Sequence, residues 1–206
     1  MIRLEKLYLR VKRLLMNKLF IIIDTSGSMN ELGKIHLQRN LCRYVAQLQL
    51  IDQGKYADID IHFYKWAQNI SEIVLQSDGS ITNLNTQGSS SLNILSDFLF
   101  QNLNITEGSK ILILSDGNFS NSNILSFHSQ LSSISDLIIR TVAVGADADL
   151  MKLKKVSTNN SVYLSEDIAS AFDCVFFESD EQLAIPISTD QILRSELVES
   201  EEDWDA

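Results

Sequence analysis

The chain has 206 residues, of which 45% are hydrophobic and 21% charged, and its formal net charge is −10. This length and composition suit one globular domain with a full core, and the acidic balance disfavours nucleic acid as the main partner. No apolar run approaches the roughly 18 residues that cross a bilayer, so we predict no membrane span. The basic amino terminus has no clean hydrophobic segment and no small-residue cleavage site, so we expect no signal peptide.

Charge divides the chain into three parts. Residues 1–18 carry six basic side chains against one acidic, whereas residues 178–206 carry ten acidic side chains against one basic. We predict a basic amphipathic segment at 1–16, a folded domain at 17–178 and an acidic, solvated tail at 179–206. Met16 is an alternative start of the protein. Otherwise the first residues form a helix that packs on the domain or binds a partner, with a membrane-surface helix as the third alternative.

The two cysteines, Cys42 and Cys174, lie far apart in sequence and form no CxxC motif. This spacing favours two reduced thiols in the core over a disulfide or a cysteine metal site. We therefore expect a cytoplasmic protein.

The predicted elements alternate between strands and helices. In chain order they are a strand at 19–23, a helix at 31–52, strands at 58–64 and 70–76, a helix at 91–103, a strand at 110–115, a helix at 122–134, a strand at 137–144, a helix at 147–157, a strand at 161–164 and a helix at 166–177. Continuous apolar runs predict buried parallel strands, whereas the alternation at 70–76 predicts an antiparallel edge strand. The helix predicted at 31–52 is expected to bury Leu32, and the helix predicted at 122–134 is expected to bury Leu125.

This order predicts an α/β fold: a Rossmann-like, doubly wound, mostly parallel sheet with one antiparallel edge strand and helices on both faces. Such sheets bind ligands in the crevice beyond the carboxyl ends of their strands.

Three separate segments bring side-chain oxygens to that edge of the sheet. Asp24, Ser26 and Ser28 follow the first strand, residues 86–95 (TQGSSSLNIL) precede a helix, and Asp116 follows the strand at 110–115. None of the three contains cysteine or histidine, and an all-oxygen set favours a hard cation, Mg²⁺ first and Mn²⁺ or Ca²⁺ next. Two carboxylates neutralise a divalent ion without over-neutralising it, so the metal should accept one more anionic oxygen, such as a carboxylate from another molecule.

The three motifs together resemble the von Willebrand factor A (vWA) family and its metal-ion-dependent adhesion site (MIDAS). They are D-x-S-x-S after a buried strand, the glycine- and serine-rich loop before a helix, and SDG after the next strand. The resemblance also covers the stretch TVAVGADADLMKLKKVS. It implies that Asp24, Ser26, Ser28 and Asp116 hold a Mg²⁺ ion, partly through water, with one position open for a partner's Asp or Glu.

The fifth ligand position of the family is usually threonine. In this sequence it aligns to Ser90 in GSSSL, with Ser89 and Ser91 as alternatives in register. Serine keeps the hydroxyl group and loses only the methyl group, so metal binding should survive the change.

The resemblance implies a stand-alone, bacterial-type adaptor that binds a protein partner, for example a MoxR-type AAA+ ATPase or a component of a stress-response or tellurite-resistance system. One alternative is a Mg²⁺-dependent phosphoester hydrolase that uses Asp24 and Asp116, and another is a scaffold subunit with a structural metal. The sequence lacks a D-x-D pair at Asp24, a nucleophile elbow and a P-loop, which favours a protein that is not an enzyme. We expect Asp147 and Asp149 to lie in a solvated loop.

Overall fold

The computed structural model describes residues 18–56, 59–76, 79–81, 84–103, 105 and 108–176. The predicted basic segment at 1–16 and acidic tail at 179–206 lie outside the described residues. The domain boundaries and the alternative start at Met16 therefore stay predictions.

Six strands form one sheet in the order β3-β2-β1-β4-β5-β6. They are β1 Lys18–Asp24, β2 Asp60–Trp66, β3 Ile70–Ile73, β4 Lys110–Ser115, β5 Ile138–Ala143 and β6 Tyr163–Leu164. All neighbouring pairs are parallel except β2 with the edge strand β3, which is antiparallel. The predicted fold class is confirmed, including the single antiparallel edge strand.

Helices cover both faces of the sheet. They are α1 Lys34–Ile51, α2 Gln53–Tyr56, α3 Leu92–Gln101, α4 Asn121–Leu131, α5 Leu150–Val156 and α6 Ile168–Phe176, with 3₁₀ segments at Gly27–Gly33 and Ser165–Asp167. The four-residue α2 was not among the predicted elements. None of the helices in the described part of the chain is both long enough and apolar enough to cross a membrane.

Each face of the sheet carries its own core. Ile21 and Ile23 of β1 pack with side chains of α1 and α6, whereas Ile22 packs with side chains of α3, α4 and α5. All three are fully buried. Burying such a side chain contributes about 1.5–3 kcal/mol. Burial on both faces explains why β1 is a continuous apolar run rather than an alternating one.

The start of the first long helix differs from the prediction. Residues Gly27–Gly33 form a 3₁₀ segment in which Leu32 has a φ angle of 51°, and α1 begins only at Lys34. Leu32 is 79% exposed, so the prediction that it lies on the buried face is wrong. Leu125 on α4 is also exposed, and Phe127 is buried there instead. The 3₁₀ segment before α1 changes which residues face the core, which explains the exposure of Leu32. Leu125 is apolar and lies beside a core residue, so the apolar pattern alone suggested that it was buried.

The sheet has a topological switch point between β1 and β4. These strands lie side by side, with Ile23 paired to Leu114, and the chain leaves β1 for β2 on the opposite side. Asp24 is the last residue of β1, and Asp116 directly follows β4. Loops that diverge at such a point leave a crevice beyond the carboxyl ends of the strands.

Candidate metal centre

Asp24 lies at the centre of the candidate site. Its side chain is fully buried, and its Oδ1 atom accepts a hydrogen bond of 2.9 Å from the backbone N–H of Ser26. Its Oδ2 atom accepts hydrogen bonds from the hydroxyls of Ser115 (2.6 Å) and Ser90 (3.3 Å). Burial raises the pKa of Asp24, and the hydrogen bonds from Ser115 and Ser26 oppose that rise only in part.

The loop after β1 brings two hydroxyls together. The Oγ atoms of Ser26 and Ser28 are 3.2 Å apart. Thr25, between Asp24 and Ser26, faces the sheet instead, because both its backbone N–H and its hydroxyl donate to the carbonyl of Trp66. The alternation of the D-x-S-x-S pattern therefore separates one anchoring residue from the two hydroxyls of the site.

The glycine- and serine-rich segment is fastened directly to this loop. The backbone N–H of Gly27 donates to the carbonyl of Gly88 (2.8 Å), and that of Gln87 donates to the carbonyl of Thr25 (2.9 Å). Gly88 has a φ angle of +73°, and a Cβ atom there would lie 2.8 Å from the side chain of Gln68. The positive φ angle favours glycine at this position, whereas the contact with the exposed side chain of Gln68 could be relieved by a movement of that side chain.

Of the three candidate serines in this segment, Ser90 is the one whose hydroxyl contacts Asp24. Ser89 is exposed, and the carbonyl of Ser91 accepts a hydrogen bond from the indole of Trp66. The geometry places the Ser90 hydroxyl beside the other oxygens of the site. Its role as a ligand remains a prediction.

Asp116 reaches the crevice from β4 and is almost completely buried. Its Oδ1 atom accepts a hydrogen bond from the backbone N–H of Asn118 (3.2 Å), and its backbone carbonyl accepts one from the N–H of Asp149 (2.8 Å). Gly117 has a φ angle of +77°, and a Cβ atom there would lie 2.7 Å from the carbonyl oxygen of Asp149. This glycine allows the loop before α5 to close against Asp116.

Lys34 lies at the candidate site and was not predicted from the sequence. Its side chain is 1% exposed, and its Nζ atom lies 2.9 Å from Oδ2 of Asp116 and 2.7 Å from Oδ2 of Asp147. Burial lowers the pKa of Lys34, but its hydrogen bonds to Asp147 and Asp116 outweigh burial, so the net pKa is raised. The only signal in the sequence was a lysine next to an apolar residue at the start of a helix.

The stretch GADAD is more than a solvated loop, which corrects the prediction. Asp147 pairs with Lys34, and this contact lowers the pKa of Asp147. Asp149 caps α5, because its side chain accepts a hydrogen bond from the backbone N–H of Lys152. Both carboxylates therefore help to hold the loop that borders the site.

Ser115 is a second residue that sequence reasoning missed. It is fully buried, donates its hydroxyl proton to Asp24 and accepts a hydrogen bond of 3.1 Å from the N–H of Gly117. It thereby joins the ends of β1 and β4 and fixes the orientation of Asp24.

The side chains present fit a hard divalent cation. Asp24 has no lysine, arginine or histidine within ion-pair distance in the described part of the chain. A buried carboxylate without a counter-charge is costly, and a bound cation would remove that cost. The described residues contain no cluster of three or more His, Cys, Asp or Glu side chains suited to a metal. The candidate donors are instead two carboxylates with several hydroxyls, which is the donor chemistry that Mg²⁺ accepts.

No protein-family model and no curated protein sequence matches the chain. Among solved structures it is similar to VWA2, a paralog of ArnB from Sulfolobus acidocaldarius, with 18% identity and a TM-score of 0.54 over 79% of this chain and 45% of that chain. It is also similar to a von Willebrand factor type A structure from Catenulispora acidiphila, with 12% identity and a TM-score of 0.54 over 76% of this chain and 41% of that chain.

A third similar structure is proximal thread matrix protein 1 from the mussel byssus, in a form with a zinc-occupied MIDAS motif. The identity is 12% and the TM-score 0.50, over 77% of this chain and 44% of that chain. The fold of this chain is therefore the von Willebrand factor A fold. The aligned region spans less than half the length of each of these three proteins.

Proposed function

We propose that this domain is a Mg²⁺-dependent protein-binding module, whose metal takes a carboxylate oxygen from an Asp or Glu of a partner. The ligands would be Asp24, Ser26, Ser28, Ser90 and Asp116, directly or through water. The observation that carries the proposal is Asp24, a fully buried carboxylate at the switch point of the sheet that contacts hydroxyls and has no cationic partner among the described side chains.

The charge of the site supports an anionic partner. Asp24, Asp116 and Asp147 together with Lys34 carry two net negative charges when all four are ionised, so a divalent cation among them is neutralised but not over-neutralised. A metal that is not over-neutralised can accept one more anionic oxygen as a ligand. A carboxylate supplied by another protein can be that ligand, and it also makes recognition dependent on the metal.

The contacts of two histidines favour binding over catalysis. His62 lies between the carboxylates of Asp60 and Glu72 at the edge of the sheet, and His128 contacts the backbone carbonyl of Lys155. Neither of these contacts places a general base beside the buried hydroxyls of the site. We therefore propose an adaptor rather than a phosphoester hydrolase.

The class of partner is proposed from the resemblance to vWA domains. A MoxR-type AAA+ ATPase or a component of a stress-response system in the cytoplasm is the candidate. Cys42 and Cys174 are both buried and are not in a disulfide, which is compatible with a reducing compartment.

The proposal is tested by affinity purification with the full chain as bait, in Mg²⁺ and in EDTA. We expect a partner that is retained in Mg²⁺ and lost in EDTA, and that is also lost with Asp24→Asn. Asp97→Asn removes the same charge from an exposed position on α3 and should retain the partner. Capture that is equal in Mg²⁺ and EDTA would contradict the proposal.

Two further measurements separate the alternatives. Mg²⁺-dependent phosphoester turnover that Asp24→Asn abolishes would support the hydrolase instead. Unfolding of the wild-type domain in EDTA, followed by circular dichroism, would support a structural metal. We expect no such turnover. We also expect no unfolding in EDTA, because the core on each face of the sheet is formed without the site.

A further inference from the structure

The side chain of Lys34 is held in a fixed, buried position by the residues around it. Its side chain extends from the first turn of α1, almost completely buried, to the two carboxylates of Asp116 and Asp147. Gly145 has a φ angle of +99°, and a Cβ atom there would lie 2.8 Å from Cε of Lys34. One turn along α1, the side-chain amide of Gln38 donates to the carbonyl of Leu114, which holds the helix against the end of β4. The ammonium is thus held in place from several directions.

The ammonium group of Lys34 competes with a metal ion for Asp116 and repels the ion electrostatically. It already binds Oδ2 of Asp116, one of the two carboxylates assigned to the ion. A cation that enters the site must share Asp116 with Lys34 and bear the repulsion of a fixed positive charge nearby. The same repulsion is relieved when an anion joins the metal. A buried lysine at this place therefore weakens the metal alone and favours the metal together with a carboxylate.

We propose that Lys34 is an internal counter-cation that limits the affinity of the site for a metal alone and makes metal binding depend on the carboxylate of the partner. This inference rests on the proposed function and adds its regulation. Without an anionic ligand the site would be mostly metal-free, with Asp116 neutralised by Lys34. A partner carboxylate would then bring metal and partner into the site as one cooperative unit.

Substitution of Asp147 is expected to change the metal affinity in the opposite direction to substitution of Lys34. It is about half exposed and neutralises part of the Lys34 charge through its own contact with the ammonium. Asp147→Asn leaves that positive charge less compensated, so metal affinity should fall. Lys34→Met removes the positive charge, so metal affinity should rise. If the lysine merely positioned Asp116, both substitutions would weaken the metal.

The test is a titration of the full chain with Mn²⁺, followed by calorimetry or by the paramagnetic signal of the free ion. We expect Lys34→Met to bind Mn²⁺ at least about tenfold more tightly than wild type. A nearby charge changes an ionisation constant by about the same factor or more. Asp147→Asn should bind several-fold more weakly. Lys155→Met, the same charge change at an exposed lysine of α5, should leave the affinity unchanged.

The second readout is the effect of acetate, a minimal carboxylate, at ionic strength matched with chloride. Acetate should tighten Mn²⁺ binding to wild type more than to Lys34→Met. Without metal, Lys34→Met should melt below wild type, because Asp116 loses its counter-charge, and Mn²⁺ should restore it.

The outcomes separate the two proposals. A folded Lys34→Met that binds Mn²⁺ no more tightly than wild type overturns the role of Lys34 and leaves the metal site intact. If Lys34→Met does not fold, Lys34→Gln, which removes the charge but keeps a hydrogen-bond donor toward Asp116, is titrated instead, and binding no tighter than wild type by that variant overturns the inference. If no form of the chain binds Mn²⁺, the proposed function fails as well.

Discussion

The hydroxyl of Ser115 donates a hydrogen bond of 2.6 Å to Oδ2 of Asp24, and so joins the last residue of β4 to the last residue of β1. Ser115 is fully buried, and the same hydroxyl accepts from the N–H of Gly117. This single side chain couples the orientation of the central carboxylate to the turn that presents Asp116.

Ser115→Ala should therefore destabilise the domain even without metal. The variant leaves the N–H of Gly117 without its acceptor and leaves Oδ2 of Asp24 with only the 3.3 Å hydrogen bond from Ser90, which costs about 1–3 kcal/mol. Denaturant unfolding in EDTA measures the free energy of unfolding directly. Ser122→Ala, at an exposed position on α4, is the control and should change it by less than about 0.5 kcal/mol. Equal values for the two variants would show that the Ser115 bond contributes nothing.

Asp24→Asn should stabilise the metal-free domain while it abolishes metal binding. Asparagine keeps an oxygen for the N–H of Ser26 and removes a buried charge that has no cationic partner among the described residues. Its amide NH₂ cannot accept from the hydroxyls of Ser115 and Ser90, which offsets part of the gain, so we expect a net gain of about 1 kcal/mol at neutral pH. In saturating Mg²⁺ the order should reverse, because only wild type gains binding energy. Denaturant unfolding with and without Mg²⁺ measures both.

The gain from Asp24→Asn should also depend on pH, in a direction fixed by the raised pKa of Asp24. Burial raises that pKa above its ordinary value of 3.8, so the folded state holds the proton in a range where the unfolded chain has released it. The cost of Asp24 is fully present above the folded pKa and disappears as the pH falls toward 3.8. The difference in unfolding free energy between variant and wild type, measured in EDTA, should shrink with it. A difference that grows on acidification would contradict the assignment.

Gly117→Ala should be one of the most damaging small substitutions at the site. A left-handed backbone costs a residue with a Cβ atom about 1–2 kcal/mol, and this Cβ atom would also lie 2.7 Å from the carbonyl of Asp149. Gly108→Ala is a matched control, since Gly108 has a φ angle of +73° with nothing within 4 Å of its Cβ position. Thermal unfolding of both variants should show a clearly larger loss for Gly117→Ala. Equal losses would mean that the loop before α5 moves aside without cost.

Much of the fold could be predicted from the sequence because the central strands β1 and β4 are buried on both faces. The run that ends at Asp24 and the run that ends at Ser115 are both continuous apolar stretches, and both form central parallel strands. Since parallel strands end at the same edge of a sheet, the sequence alone predicts that Asp24 and Asp116 share that edge. The single antiparallel strand was also predicted correctly, from the alternation over 70–76, although the observed strand ends at Ile73.

The parts that could not be predicted depend on contacts between residues distant in sequence. Lys34 pairs with Asp116 and Asp147, 82 and 113 residues away, and no local pattern distinguishes it from an exposed lysine at the start of a helix. The exposed Leu32 was misplaced because the sequence does not reveal where the 3₁₀ segment ends and α1 begins. The register of Ser90 was open for a similar reason, since adjacent serines differ only in which one reaches Asp24.

The metal centre is tested most directly by a calorimetric titration of the domain with Mg²⁺ at a fixed, saturating concentration of acetate, in wild type and in Ser26→Ala/Ser28→Ala. The double variant removes the two hydroxyls that lie 3.2 Å apart and keeps every charge of the site. We predict saturable binding of one ion per chain in wild type, and at least about tenfold weaker binding in the variant, because two neutral oxygen ligands are lost. Absence of saturable binding in wild type, or equal affinity in the two proteins, would contradict a metal centre formed by these residues.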